Sequence, residues 1–281
     1  MKKVDQLEYK QRNIKIWNEV APRYHKRWAS VNKGPFQSTE KLIELADIKK
    51  GNTVLDVACG TGVVTKRIRD KISSSGFVIG VDTSSTAINL AKQWNGKRNN
   101  VEFVNVDAEN FTFSKKFDRI TCQYALFFFP NAKRALQNIK NSLKKSGRIG
   151  ISVHGTKKKV PFFSSIIDSV TKFIPDYVPP ESPNLDRFGT RSSLRNIVLN
   201  AGFSKIEIQE FVFDYSPGNF NDYWNNYTKY IAKPLKEKLN ALDNSKRKEL
   251  KMAVKEKTQQ YTKKDGKILF PWQVLILTAK Y

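Results

Sequence analysis

Cysteine and histidine are scarce in this 281-residue chain, with two of each. Cys59 and Cys122 alone cannot build a disulfide framework or a cysteine-rich zinc site, and no metal site is expected. No apolar run nears the ~20 residues of a membrane span. The longest, such as Val274 to Ala279, have strand length. Met1-Lys2-Lys3 is followed by polar and charged sequence, so no signal peptide is read there and a cytoplasmic protein is expected. Internal repeats and low-complexity linkers are also missing. What is present is 40% hydrophobic, 12% aromatic and 27% charged residues, which excludes general disorder. The length suits one large domain with insertions, or two domains, with a core that needs no covalent staple.

Acidic residues are few: 26 Asp plus Glu stand against 50 Lys plus Arg, a formal charge of +24. Such an excess points towards nucleic acid or an anionic membrane surface. Its position argues otherwise. Residues 1–150 carry 28 basic and 13 acidic side chains, residues 151–281 carry 22 and 13, so the charge is spread over the whole chain. The densest clusters, such as Lys157-Lys158-Lys159 and Lys246-Arg247-Lys248, are short and mostly lysine. A phosphate-reading surface favours arginine with interleaved aromatics. A solvated face is the preferred reading, with an anionic partner or peripheral membrane contact as the alternative.

The pattern along the chain predicts an α/β protein. Residues 1–48 read as an N-terminal helical cap, with a helix over 5–29 and a second over Thr39 to Ala46. From residue 49 to 155, β-branched runs alternate with amphipathic helices, the signature of βαβ units. The predicted strands are Thr53–Val57, Phe77–Val81, Val101–Val106, Phe117–Gln123 and Gly147–Val153. Residues 156–190 hold five of the eleven prolines and predict an irregular, lid-like insertion. Residues 191–213 add a core helix and strand, 214–267 a helical insertion, and 268–281 a last strand. The expected fold is a Rossmann-like, doubly wound, mostly parallel seven-stranded sheet with a helical cap and insertions.

The most informative stretch is Asp56-Val57-Ala58-Cys59-Gly60-Thr61-Gly62, a buried strand running into a glycine-rich turn that opens a helix. The glycines let backbone approach a ligand closely. Asp82 follows twenty residues after Gly62, at the end of the second strand, where a carboxylate can accept both hydroxyls of an adenosine ribose. A dinucleotide site has the same spacing. However, the third glycine of its fingerprint is replaced by Thr65, and Asp56 would repel a pyrophosphate. Near a ligand bearing an ammonium and a sulfonium, Asp56 helps. The plain alternative is a tight strand-to-helix turn with a capping threonine.

These residues resemble the class I S-adenosylmethionine-dependent methyltransferases, in particular the group around the quinone and small-molecule methyltransferases. The match continues through Gly80-Val81-Asp82-Thr83-Ser84, Val106-Asp107-Ala108-Glu109, Phe117-Asp118-Arg119-Ile120 and Leu143 to Ile149, in order over about residues 50–155. The resemblance implies S-adenosyl-L-methionine as cofactor. By it, Gly60 and Gly62 pack against the cofactor, with Ala58, Thr61 and Thr83 beside them. Asp56 binds the amino group through water, Asp82 the ribose and Asp107 the adenine amino group. The Ala108 amide meets an adenine ring nitrogen, and Gln123 faces the methionine part and the acceptor. Lys145-Ser146-Gly147 departs from the family's proline and two glycines, at a turn away from the site.

Methyl transfer from a sulfonium needs alignment more than acid–base chemistry, and a base only where the acceptor must lose a proton. His154, after the fifth strand, and His25, in the N-terminal segment, are the candidate bases; each is alternatively a packing or surface histidine. Tyr24, Trp28, Phe127 and Trp224 are the candidate acceptor walls, suited to a small aromatic or lipophilic molecule. The rivals are an RNA or protein methyltransferase using the basic surface and a non-catalytic adenosyl-cofactor-binding protein. Against the first, Gln123-Tyr124-Ala125-Leu126 stands where amino-group nucleobase methylation uses an Asp/Asn-Pro-Pro-aromatic sequence.

Overall fold

Val54, Leu55 and Val57 are fully buried in the first strand, β1 (Thr53–Val57), because it is covered on both faces. It lies at the centre of a seven-stranded sheet in the computed structural model, which describes residues 3–29, 34–175, 185–230 and 233–281. The other strands are β2 (Phe77–Asp82), β3 (Val101–Asn105), β4 (Phe117–Gln123), β5 (Leu143–His154), β6 (Ser204–Asn219) and β7 (Lys267–Lys280). Their order is β3-β2-β1-β4-β5-β7-β6. The first five run parallel, and β7 inserts antiparallel between β5 and β6. The order reverses between β1 and β4, so crossovers on the two sides cover opposite faces. That reversal opens a crevice at the carboxyl ends of the strands.

The helices are α1 (Lys3–Tyr24), α2 (Thr39–Leu45), α3 (Val63–Ile72), α4 (Ser85–Asn95), α5 (Ala132–Ser142), α6 (Pro161–Phe173), α7 (Arg191–Asn200), α8 (Phe220–Tyr230), α9 (Lys233–Ala241) and α10 (Asn244–Gln259). Helix α1 contains Pro22, which lacks the amide N–H that the helical ladder requires. The helix gives way after Tyr24 to a wider π-type turn, His25–Ala29, where the sequence pattern predicts one continuous helix to residue 29.

Residues 156–190 differ from the expected irregular lid. Pro161 takes the first position of α6, where a missing N–H costs nothing, and Phe162, Ile166 and Val170 bury one face at i, i+4 and i+8. This face meets α10, whose Leu250 and Val254 are buried at the same spacing. Pro179, Pro180 and Pro183 lie outside the described residues. Strand β6 also runs to Asn219, six residues past the alternating stretch, because it pairs with β7 along nearly its whole length. Trp272 on β7 is fully buried, stacked between Phe162 at 5.4 Å and Phe213 at 5.9 Å, and so joins insertion to sheet.

Gly62 holds the turn into α3. Its φ of 83° lies in the left-handed region, and an added Cβ would come within 2.8 Å of the Asn95 amide and 3.1 Å of Ala91 and Phe103. That side of Gly62 therefore packs against α4 and β3, and Gly62 is not among the residues lining the cavity described below. Gly62→Ala should lower stability by about 1–3 kcal/mol, through strain and overpacking together, as measured by urea unfolding.

Candidate active site

Two loops leave the sheet beside one another, after β1 and after β2, and one carboxylate joins them. Asp82 accepts from the Gly60 amide with one oxygen, at 2.9 Å, and from the Ser84 amide with the other, at 2.8 Å. Burial pushes its pKa up, while the Ser84, Gly60 and Thr83 amides hold it down. Ala58 and Gly60 both take left-handed backbone, at φ 56° and 54°. For a residue with a Cβ this is strained, and it lays the loop backbone open towards the crevice.

Asp56 lies beneath that loop. It is 1% exposed, and its two oxygens accept from the hydroxyls of Thr65 at 2.6 Å and Thr121 at 2.8 Å. Burial pushes its pKa up to about 6 against those two hydrogen bonds. The carboxylate is not among the cavity-lining residues, and each of its oxygens already holds one threonine hydroxyl. Thr65, which stands in for the third glycine of a dinucleotide fingerprint, is a partner of Asp56.

A cavity of about 1150 Å³, mouth included, opens over these loops. Of the residues picked out in the sequence, Ala58, Gly60, Thr61, Asp82, Thr83, Asp107, Ala108, Gln123 and Tyr24 line it together. Its roof is α1, which contributes Lys10, Asn13, Ile14, Trp17, Ala21 and Tyr24, one helical face by spacing. Phe36, Tyr124, Phe128 and Phe129 form an aromatic wall, with Pro130 beside them.

The roof is tethered by polar contacts to three loops. The Lys10 ammonium donates to Asp107 at 2.7 Å and to Glu109 at 2.8 Å. Asn18 accepts from the Ser84 hydroxyl at 2.8 Å and the Thr86 amide at 3.2 Å. His25 Nδ1 is 2.8 Å from the Thr61 hydroxyl. Burial disfavours the Lys10 charge, yet the bonds to Asp107 and Glu109 carry its pKa above the ordinary 10.5. The tether is thus complete below that value and is lost only as pH rises through the raised one. The sequence reading passed over Lys10 and Asn18, whose partners lie some seventy to a hundred residues away.

Both candidate bases fall outside the cavity lining. His154 is buried among aromatics: it stacks on Tyr124 at 4.2 Å and its Nδ1 accepts from the Trp272 indole at 3.0 Å. Burial lowers its pKa to about 3, so it is neutral and a poor proton acceptor. His25 contacts Thr61 and the edge of Trp94, and burial lowers its pKa too. Trp28, Phe127 and Trp224 are likewise not cavity walls. Trp28 packs against Phe162, Tyr215 and Trp272, Phe127 against Phe128 and His154, and Trp224 on the outside of the core. Among the described residues, no group of three His, Cys, Asp or Glu side chains is placed to hold a metal ion.

A family model described as a methyltransferase domain matches residues 48–188. A demethylmenaquinone methyltransferase of Staphylococcus epidermidis is 24% identical over 214 residues, 72% of this chain and 84% of that protein. A 2-phytyl-1,4-naphtoquinone methyltransferase of Nostoc punctiforme is 26% identical over 204 residues, 67% and 88% of the two chains. Among solved structures, a phosphoethanolamine N-methyltransferase 2 of Haemonchus contortus, in complex with phosphomonomethylethanolamine and S-adenosylhomocysteine, superposes with a TM-score of 0.57 at 15% identity. The match covers 94% of this chain and 57% of that one, a likeness of fold.

Two outcomes follow from this geometry. The folded chain holds the Asp56 proton more tightly than the unfolded chain, so ionising Asp56 opposes folding. Stability should fall as pH rises from about 4 to about 6, and Asp56→Asn, neutral throughout, should abolish that component. The wild type should lose about 3 kcal/mol relative to the variant across this window, read from urea unfolding at each pH. Lys10→Met should weaken S-adenosylhomocysteine binding on the order of tenfold in calorimetry at neutral pH, because the roof loses its tether to the Asp107 loop.

Proposed function

The chain belongs to the methyltransferase domain family and is an S-adenosylmethionine-dependent methyltransferase, and we propose that it methylates a small, flat aromatic or lipophilic acceptor enclosed beneath α1. The observation that carries this is the cavity itself. Its floor is polar backbone and carboxylate, and its roof and far wall are Trp17, Tyr24, Phe36, Phe128 and Phe129.

The residues present fit the cofactor. Asp82 is already oriented by the Gly60 and Ser84 amides, and we assign it the ribose hydroxyls. Asp107 and the Ala108 amide are assigned the adenine edge, with Lys10 fixing the Asp107 carboxylate from the roof side. The open backbone of Ala58 to Thr61 is assigned the methionine part. When bound, S-adenosylmethionine supplies an electrophilic methyl carbon. Held by Asp82, Asp107 and the Ala58 to Thr61 backbone, it would supply that methyl to an electron pair of the acceptor.

The chain's own work is binding, alignment and exclusion of water. The carboxylates among the described lining residues are engaged, Asp82 by two backbone amides and Asp107 and Glu109 by Lys10. Burial pushes the Tyr24 and Tyr124 phenols and the Cys59 thiol above their ordinary values, and Lys10 is held cationic by two carboxylates. This supports an acceptor whose nucleophilic atom needs no protein base before attack, such as an electron-rich ring carbon or a neutral amine, its displaced proton passing to solvent after transfer. The quinone substrates named in two relatives support the flat, lipophilic class.

Calorimetry with S-adenosylhomocysteine, followed by transfer assays with labelled methyl donor, checks this proposal. Asp82→Ala should weaken cofactor binding more than tenfold, since two or more charge-assisted hydrogen bonds are lost. Label should enter 1,4-naphthohydroquinone and not total RNA. Incorporation into RNA that falls steeply with salt would replace the small-molecule acceptor.

A further inference from the structure

Part of the cationic excess that is spread along the whole sequence is gathered by the fold into one row. Because β1 to β5 run parallel, their amino ends share the edge of the sheet opposite the cavity. Four of these strands are entered through two adjacent cations. Lys49-Lys50 precede β1, Lys97-Arg98 β3 and Lys115-Lys116 β4, while Lys144-Lys145 lie at the start of β5. Lys71, in the last turn of α3 ahead of β2, and Lys205, at the start of β6, carry the row across the sheet. All of them are exposed.

Six strand spacings of roughly 4.8 Å make this edge about 29 Å long. Cations on neighbouring strands stand within about one Debye length at physiological salt, so their potentials add. The acids here do not cancel them. Asp47, Asp70 and Asp118 are taken up by Lys49, Arg69 and Lys144, and Glu102 on β3 is exposed. Lys50, Lys97, Arg98, Lys115 and Lys145 have no carboxylate partner among the described residues. Helix C-termini favour a cation in the last turn, such as Lys71 or Lys140, but no helix leads into Lys115-Lys116.

The same edge carries apolar surface. Of the five large apolar side chains exposed among the described residues, Leu199 at 55% and Tyr281 at 48% stand at its β6 end. Leu199 is in the last turn of α7, which leads into β6, and the Tyr281 carbonyl accepts from the Ser204 hydroxyl that opens β6. Cations beside a phenol and a leucine suit the headgroup layer of a bilayer, where ammonium groups meet phosphate and apolar parts enter. Single-stranded nucleic acid asks instead for a groove with aromatic stacking platforms, and none of these cations lines a described cavity.

We propose that the amino edge of the sheet is a docking surface for an anionic lipid bilayer, with the paired cations on lipid phosphates and Leu199 and Tyr281 in the headgroup layer. The cavity lies at the other ends of the same strands, about 20 Å away along β4 at roughly 3.3 Å per residue. Docking therefore leaves the cavity open to water, and the proposal is independent of which acceptor is methylated.

The test is co-sedimentation of the full chain, at physiological salt, with vesicles of phosphatidylcholine alone or of phosphatidylcholine and phosphatidylglycerol in equal parts. The wild type should partition onto the mixed vesicles and not the neutral ones, and binding should weaken steeply as salt rises. Lys97→Gln/Arg98→Gln/Lys115→Gln/Lys145→Gln should bind on the order of a hundredfold less tightly, since each cation at an anionic surface contributes about a factor of five. A control with the same loss of charge on α10 and the turn after it, Lys248→Gln/Lys255→Gln/Lys257→Gln/Lys264→Gln, should lose less than about fivefold, because charges beyond a Debye length from the surface are screened. Leu199→Ser/Tyr281→Ser should lose about tenfold with the salt dependence unchanged. All three variants should keep the wild-type affinity for S-adenosylhomocysteine, since none of these residues lines the cavity. Equal losses in the two charge variants would overturn the proposal, leaving net charge alone, as would absence of wild-type binding to the mixed vesicles. Release from the vesicles by single-stranded RNA at matched phosphate would replace lipid with nucleic acid as the partner.

Discussion

The carboxylate of Asp82 is the point on which the site turns. By accepting one amide from the β1 loop and one from the β2 loop, it extends past the strand ends the register set by the Val57–Val81 pair and by the Cys59 amide on the Val81 carbonyl. A carboxylate can do this and still offer lone pairs to a ligand, because its two oxygens have about four acceptor positions. The cost is burial of a charge close to a second one, since Asp56 lies under the same loop and each raises the energy of ionising the pair. The hydroxyls of Thr65 and Thr121 offset part of that cost. A ligand carrying positive charge near the loop offsets more, which gives the site an electrostatic preference for a sulfonium over a pyrophosphate.

Closure of the cavity rests on a different kind of contact. Helix α1 lays one face over the crevice, with polar anchors at Lys10, Asn18 and, just past the helix, His25. Between them Ile14, Trp17, Ala21 and Tyr24 supply apolar surface. The anchors reach the β3, β2 and β1 loops in turn, the three loops assigned to the cofactor in the proposal above. Excluding water in this way strengthens each hydrogen bond beneath it.

The histidines show where side-chain chemistry and position part company. His154 has the residue type and the strand-end place of a base, yet the indole of Trp272 and the ring of Tyr124 enclose it. Its imidazole serves as a hydrogen-bond acceptor inside an aromatic cluster that ties β5, β7 and α6 together.

Much of this protein is set by local sequence. Alternating β-branched and amphipathic segments determine the parallel strands, because each segment's period dictates which of its faces can be buried. The glycine turn and the acids at 82 and 107 are legible for the same reason: backbone approach and carboxylate placement are properties of a strand end and its loop. Partners across the chain are not legible in this way. That Asp56 belongs to Thr65 and Thr121, that α6 is a packed helix where prolines suggest a lid, that Lys10 bridges Asp107 and Glu109, and that Trp28, Phe127 and Trp224 face the core depend on which surfaces the sheet order brings together. Contacts between residues a hundred positions apart leave no period in the sequence, so only the tertiary structure decides them.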